Sequence, residues 1–169
     1  LISKFGVGLD SFDLKAIEKH GVKLAWMPGT NSRSVAELAL MSAIALLRRV
    51  PESAADLRSG TWRQLKGATL SGKTVGLVGL GAVGRDLVGL LAPFSVRLLA
   101  HDPAADRLFA ETKGVRLVSL DDLLRESDVV SLHLPLTSAT KNILSSSRLA
   151  AMKPTAVLLN TARGGLIDE

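Results

Sequence analysis

The stretch 74-TVGLVGLGAVG-84 restricts this chain more than any other. An apolar run enters glycines at 79, 81 and 84, spaced G-x-G-x-x-G. In a dinucleotide site, Gly79 permits the tight turn, Gly81 lets backbone approach a pyrophosphate, and Gly84 lets helix and strand pack closely. The helix opening there aims unpaired N–H groups, those near Ala82 and Val83, at the phosphates. Alone, the glycine spacing is a weak signal. Its context strengthens it: Asp102 closes the next strand eighteen residues after Gly84, close to where a carboxylate accepts from the adenosine ribose hydroxyls. The alternative is a turn residue before Pro103. A carboxylate at that point repels a 2′-phosphate at short range, which favours NAD over NADP. Arg107, five residues on, argues the other way, since a nearby arginine accommodates the extra phosphate.

The rest of the chain alternates apolar runs with helical stretches. Strands are expected over 74–79, 96–102, 115–119, 128–134 and 156–161, and helices around 83–92, 104–112, 120–126 and 145–152. That order argues for βαβ units, right-handed crossovers and an α/β, Rossmann-like, doubly wound parallel sheet covered by helices on both faces. Residues 1–28 read differently, as strand to Gly8, helix within 13–21 and strand over 22–27. The turn-rich link 28-PGTNS-32 places a boundary near residue 30, giving units 1–29 and 30–169. Beyond it, 34-SVAE-37 reads as a capping box. The helix that follows is apolar almost all round through Leu47, so burial between two domains or two subunits is expected. Pro51 should end or kink it.

Composition excludes several function classes. There is no cysteine, so disulfides and thiolate metal sites are ruled out, and no metal site is expected. The net charge is +5, but Arg48, Arg58, Arg85, Arg97, Arg125 and Arg148 are scattered over different elements. With four Phe, two Trp and no Tyr, a base-stacking platform for nucleic acid is poorly supplied. The longest apolar stretch, Val35 to Leu47, is interrupted by Glu37 and Ser42 and falls short of the roughly 20 residues of a membrane span. No basic-then-apolar signal segment follows Leu1. A soluble, cytoplasmic protein is expected, with a small-molecule partner rather than a nucleic acid or a membrane.

Several stretches together resemble the D-isomer-specific 2-hydroxyacid dehydrogenases, and among them the 3-phosphoglycerate dehydrogenases. They are 6-GVGLDSFDL-14, 28-PGTNSRSVAEL-38, 57-LRSGTW-62, 72-GKTVGLVGLGAVGRDL-87, 128-DVVSLHLPLTSATKNIL-144 and 152-MKPTAVLLNTARGGLIDE-169. They follow the family's order and spacing across essentially the whole chain. One departure is 93-PFS-95, where the family usually has a glycine after the aromatic residue, so a different helix exit is expected.

The resemblance implies roles. Arg163 matches the catalytic arginine, which binds the substrate carboxylate and carbonyl oxygen, and a rigid guanidinium fork suits that task. A structural ion pair is the alternative reading. Val7 and Gly8 match the loop whose N–H groups meet the substrate carboxylate, with Val7 also near the nicotinamide. Ala82 and Val83 match pyrophosphate contacts, Leu134 and Pro135 the wall after the fourth strand, and Thr161 and Ala162 cofactor contacts beside Arg163. Together with Gly79, Gly81, Gly84 and Asp102 these make the expected NAD site. Asn31 sits where some members place a substrate amide. His133 stands beside the cofactor where the family's histidine does not transfer the proton; His20 and His101 read as structural.

The resemblance further implies an NAD-dependent oxidoreductase acting on the CH–OH group of a D-2-hydroxy acid. The first candidate reaction is 3-phosphoglycerate to 3-phosphohydroxypyruvate, in serine biosynthesis; alternatives are glyoxylate or hydroxypyruvate reductases, lactate or formate dehydrogenases, and a non-catalytic NAD(H)-sensing corepressor. It makes residues 1–29 a remnant of a flavodoxin-like substrate domain and the sheet incomplete. The family's proton-transfer histidine and its glutamate partner lie downstream of the arginine segment. The chain is therefore expected to be a piece that binds NAD(H) without turning over substrate, and to pair as a homodimer or higher oligomer through the helix 35–47.

Overall fold

Five short apolar runs pair side by side and in parallel, because a helix after each of the first four carries the chain back to the same end of the sheet. The computed structural model describes residues 1–169. Its elements are β1 (Ile2–Ser3), α1 (Leu14–Lys19), β2 (Leu24–Ala25), α2 (Ser32–Leu47), α3 (Val50–Arg58), β3 (Thr74–Val78), α4 (Ala82–Leu91), β4 (Arg97–His101), α5 (Arg107–Thr112), β5 (Val115–Leu117), α6 (Leu120–Glu126), β6 (Val129–Leu132), α7 (Ser146–Ala150) and β7 (Val157–Asn160). The main sheet runs β5-β4-β3-β6-β7, all parallel, and β1 pairs with β2 in a separate parallel ribbon. This is the α/β architecture read from the sequence. The strand order reverses between β3 and β6, which opens a crevice at their C-terminal ends.

Alternating side chains send the sheet's two faces into two cores. Val75, Leu77, Leu98, Ala100 and Val129 meet α2 and α4 on one face. Val78, Leu99, Val130 and Leu132 meet Leu120, Leu123 and Leu124 of α6 on the other. Gly76 is bare because α6 presses on it: a Cβ there would lie 2.5 Å from Leu123 Cδ2. At the opposite end from the crevice, Asp128 accepts from the Thr74 N–H at 2.8 Å and pairs with Lys153 at 2.8 Å, tying β6 to β3 and to the turn before β7. No helix is long and apolar enough to cross a membrane.

Two local expectations are corrected. The helix after the link starts at Ser32, not after a Ser34–Glu37 capping box: Ser34 lies inside α2 and its hydroxyl donates to Asn31 O at 2.9 Å. Ser32 Oγ instead donates to Asp86 Oδ2 at 2.5 Å, fastening α2 to α4. The break after α2 comes at Arg49, whose φ of 57° is left-handed, and Pro51 sits in the first turn of α3, where its missing N–H costs nothing. Within this chain α2 buries one face and exposes the other. Ala36, Ala39, Ala43 and Leu47 face α4 and the sheet, while Leu38, Met41 and Leu46 remain exposed.

The exit from α4 shows why the 93-PFS-95 departure is tolerated. A single 3-10 turn over Ala92–Phe94 is closed by Ser95 at φ 51°, ψ 38°, the left-handed conformation that a glycine adopts without strain. Serine pays roughly 1 kcal/mol to stand there. Ser95→Gly should therefore raise the unfolding free energy by about 1 kcal/mol in urea titrations; a loss of stability would contradict this backbone reading.

Candidate functional site

The glycine turn lies at the mouth of the crevice. Gly79 has φ of 102°, a conformation closed to most side chains, and a Cβ there would sit 2.7 Å from His133 O. Gly84 is bare because its α4 backbone passes close over the turn, where a Cβ would come 2.5 Å from Gly79 O. Gly81 differs: a Cβ there would meet no protein atom within 4 Å, so the space above it is open. Gly81 is also the N-cap of α4 and supplies no capping side chain. The N–H groups of Ala82 and Val83 find no protein acceptor. A helix start with free donors and open space over its glycine is what an anionic pyrophosphate requires.

Asp102 takes the turn role that the sequence held out as its alternative. Its Oδ2 accepts from the Leu80 N–H at 2.8 Å and its Oδ1 from the Ala104 N–H at 2.8 Å. The carboxylate thus ties the glycine turn to the end of β4. Each oxygen keeps a lone pair for a further donor, so the turn role and a ribose contact are compatible.

A cleft of about 200 Å³ brings Val7, Val83, Leu134, Pro135, Thr161, Ala162 and Arg163 together, with Asn31, Val35 and His133 completing its wall. Arg163 reaches it because β7 ends in Asn160, whose side chain shapes the following loop: Nδ2 donates to Arg163 O at 2.8 Å and Oδ1 accepts from the Ala162 N–H at 3.1 Å. Gly164 then passes with nothing near its Cβ position, whereas Gly165 lies against Leu136. Arg163 also borders a second cavity of about 350 Å³ beside Gly8, Leu9, Leu14, Trp26 and Leu136. Leu134 leads the other way, into a cavity of about 500 Å³ with His101, Pro103, Leu120 and Arg148. A further cavity of about 600 Å³ lies against β1 and β2.

The guanidinium is not free. Nε and Nη2 donate to Asp10 Oδ2 at 3.0 and 2.7 Å, and Nη1 donates to Ala162 O at 2.9 Å. These hydrogen bonds hold the Asp10 carboxyl below the usual carboxylate range and raise the arginine further. The ion-pair reading of Arg163 therefore holds as a matter of geometry, alongside its place on the cleft. A Cβ on Gly8 would lie 2.5 Å from Arg163 Nη2, so Gly8 is bare because the guanidinium rests on it.

Comparison with known proteins gives this geometry a family. The model of the D-isomer specific 2-hydroxyacid dehydrogenase NAD-binding domain matches residues 40–169. The chain belongs to that family. It is 40% identical over its whole length to a hydroxypyruvate reductase of Thermotoga maritima, covering 55% of that protein, and 38% identical to a D-3-phosphoglycerate dehydrogenase of Methanocaldococcus jannaschii, covering 33% of it. Among solved structures, the apo D-lactate dehydrogenase of Escherichia coli superposes with a TM-score of 0.84 at 36% identity, over 96% of this chain and 52% of that one. A Granulicella formate dehydrogenase gives 0.89 at 30% identity, over 96% and 45%. The chain thus spans a third to about half the length of these relatives. Its cofactor is NAD, the ligand for which the matched domain is named, and the open Gly81 and free α4 donors fit that group.

In this dehydrogenase domain His133 carries an environment that the sequence did not show. Its Nε2 is sealed from solvent without a hydrogen-bond partner, as is Thr161 Oγ1 on the neighbouring strand end. Burial pushes its pKa down to about 4, so the ring is neutral at pH 7. His101 is held differently, with Nδ1 at 3.1 Å from Val118 O, and His20 is the C-cap of α1. The sequence also missed Asp10 and Asn160. An Asn at a strand end before two glycines is a recognisable turn signal; the Asp10 contact spans 153 residues and leaves no local trace.

His133 makes a pH prediction. An unfolded imidazole titrates near 6.5, so between that value and about 4 the unfolded chain takes up a proton that the folded chain refuses. The stability present above pH 6.5 is therefore lost as pH falls towards 4. Between pH 7.5 and 4.5 the wild type should lose on the order of 2 to 3 kcal/mol more stability than His133→Gln in urea titrations. Equal pH dependence would show that the ring takes up its proton at the same pH in the folded and the unfolded chain.

Proposed function

We propose that this chain supplies the coenzyme site and the acid clamp of an NAD-dependent oxidoreductase acting on the CH–OH group of a D-2-hydroxy acid. The observation that carries the reading is a single cleft with Val83, from the free-donor start of α4, on one side and Arg163 on the other. A fork-shaped cation beside a dinucleotide site suits a small 2-hydroxy or 2-oxo acid, because it pairs with a carboxylate in a fixed plane.

The residues divide the work. Ala82 and Val83 donate to the pyrophosphate, with Gly79, Gly81 and Gly84 keeping backbone and helix close. Asp102 accepts from the ribose hydroxyls, and the cavity beyond Leu134, beside His101 and Pro103, receives the base. Val7, Pro135, Thr161 and Ala162 wall the nicotinamide end. The bound cofactor supplies hydride transfer to or from its nicotinamide ring. Arg163 holds the acid, aided by backbone at Val7 and Gly8, and the apolar wall limits water. No histidine of this chain is set to carry the substrate proton: His133 has its Nε2 sealed from solvent, His101 is held against Val118 O, and His20 is the C-cap of α1. The chain by itself is therefore expected to bind NADH without turnover.

For the substrate, 3-phosphoglycerate is the reading supported by the named relatives such as that of Methanocaldococcus jannaschii, and hydroxypyruvate follows from the Thermotoga maritima relative. We place a homodimer contact on the exposed face of α2, where Leu38, Met41 and Leu46 face solvent, and the whole in the cytoplasm.

Two experiments test this. Arg163→Gln in the intact protein should lower kcat/KM for the 2-oxo acid by about a thousandfold, in line with losing a charged substrate clamp, while NADH affinity shifts by less than about tenfold. Unchanged kcat/KM would remove the clamp. Gly81→Val, whose side chain enters open space, should keep the melting temperature and weaken NADH binding by at least about tenfold in fluorescence titrations. Unaltered binding would place the pyrophosphate elsewhere.

A further inference from the structure

Arg163 can act as a clamp only if its long, flexible side chain is held still, and its own loop does little to hold it. The fork has five N–H donors. Nε and one N–H of Nη2 go to Asp10 Oδ2, at 3.0 and 2.7 Å. One N–H of Nη1 goes to Ala162 O at 2.9 Å. One donor remains on each terminal nitrogen with no protein acceptor, which is the pair a substrate carboxylate or a carboxylate and its neighbouring carbonyl can take.

Asp10 sits in the loop between β1 and α1, 153 residues from its partner. Gly8 in the same loop leaves room for the contact, since a Cβ would fall 2.5 Å from Nη2 and 2.9 Å from Asp10 Oδ2. The pair borders the cavity of about 350 Å³. With Asp10 about half exposed and Arg163 more than a third exposed, the ion pair adds little to folding. Its geometric consequence is larger. It fixes the plane of the guanidinium from one edge and Ala162 O fixes it from another.

We propose that Asp10 is a positioning residue for the reaction: it orients Arg163 so that the two remaining donors meet the 2-oxo acid. The inference rests on the dehydrogenase reading above. Asp10 touches no cofactor or reacting atom in this account and works through Arg163 alone. It follows that Asp10 serves the acid and leaves the coenzyme untouched.

The test uses the intact protein, with reduction of hydroxypyruvate and phosphohydroxypyruvate by NADH, oxamate binding to the NADH complex by calorimetry, and NADH binding by fluorescence. Asp10→Ala should lower kcat/KM by about a hundredfold and weaken oxamate by about tenfold or more, the scale of a misplaced charge-assisted contact. NADH affinity and melting temperature should stay near wild type. Asp10→Asn keeps an acceptor oxygen and should recover much of the loss. Gly8→Ala, which displaces the guanidinium without touching either charge, should reproduce the Asp10→Ala pattern. An Asp10→Ala enzyme within threefold of wild type makes Asp10 a bystander. A rise in kcat/KM makes it a competitor for Arg163. An equal loss of NADH affinity makes its role structural. Each of these overturns the inference while leaving the dehydrogenase reading in place; a wild type that reduces no 2-oxo acid removes both.

Discussion

The bond from the Leu80 N–H to Asp102 Oδ2 holds the feature on which the remainder of the site is built. It joins the turn after β3 to the end of β4, next to the β3–β6 boundary where the sheet's order reverses. Around it three glycines meet three different demands. Gly79 takes a backbone angle that side chains avoid, Gly84 yields to the carbonyl of Gly79, and Gly81 leaves its space open. With the turn fixed, α4 begins at a set place with its first donors unspent, and α2 is fastened to α4 through Ser32 and Asp86. Asp102 therefore serves as scaffold for the turn, and the proposed ribose contact falls on the same carboxylate. A substitution there disturbs the turn as well as any ribose contact, and loss of NADH binding by Asp102→Ala would not by itself separate the two.

Much of the fold was legible because parallel strands buried on both faces must be apolar runs, and the helices between them carry the complementary pattern. All five strands of the main sheet lie inside the segments read from the sequence. What failed were details that depend on tertiary partners. Ser34 and Glu37 have the spacing of a capping box, but Ser32 had a better bond available on α4, so the helix starts earlier. Pro51 looked like a terminator, yet Arg49 makes the break and Pro51 opens the next helix.

The site was legible to a different degree. Glycine spacing and the acid after the next strand are local patterns, so the glycine turn and its place before α4 could be read directly. The substrate end rested on resemblance, and the structure adds what resemblance did not carry: Arg163 is already engaged by Asp10. That contact joins the first loop to the last strand's exit, and no periodicity encodes it. His133 is a similar case. Its sequence context, a histidine at a strand end, says nothing of whether Nε2 finds a partner, and the fold buries that atom without one.

The central claim is that the start of α4 and the Arg163 fork address one ligand pair across one cleft. A crystal structure of the intact protein with NADH and oxamate tests it most directly. The account predicts the pyrophosphate oxygens within hydrogen-bonding distance of the Ala82 and Val83 N–H groups, and the oxamate carboxylate on the terminal nitrogens of Arg163. A pyrophosphate bound away from Gly81, or an oxamate that leaves Arg163 paired only with Asp10, would contradict it.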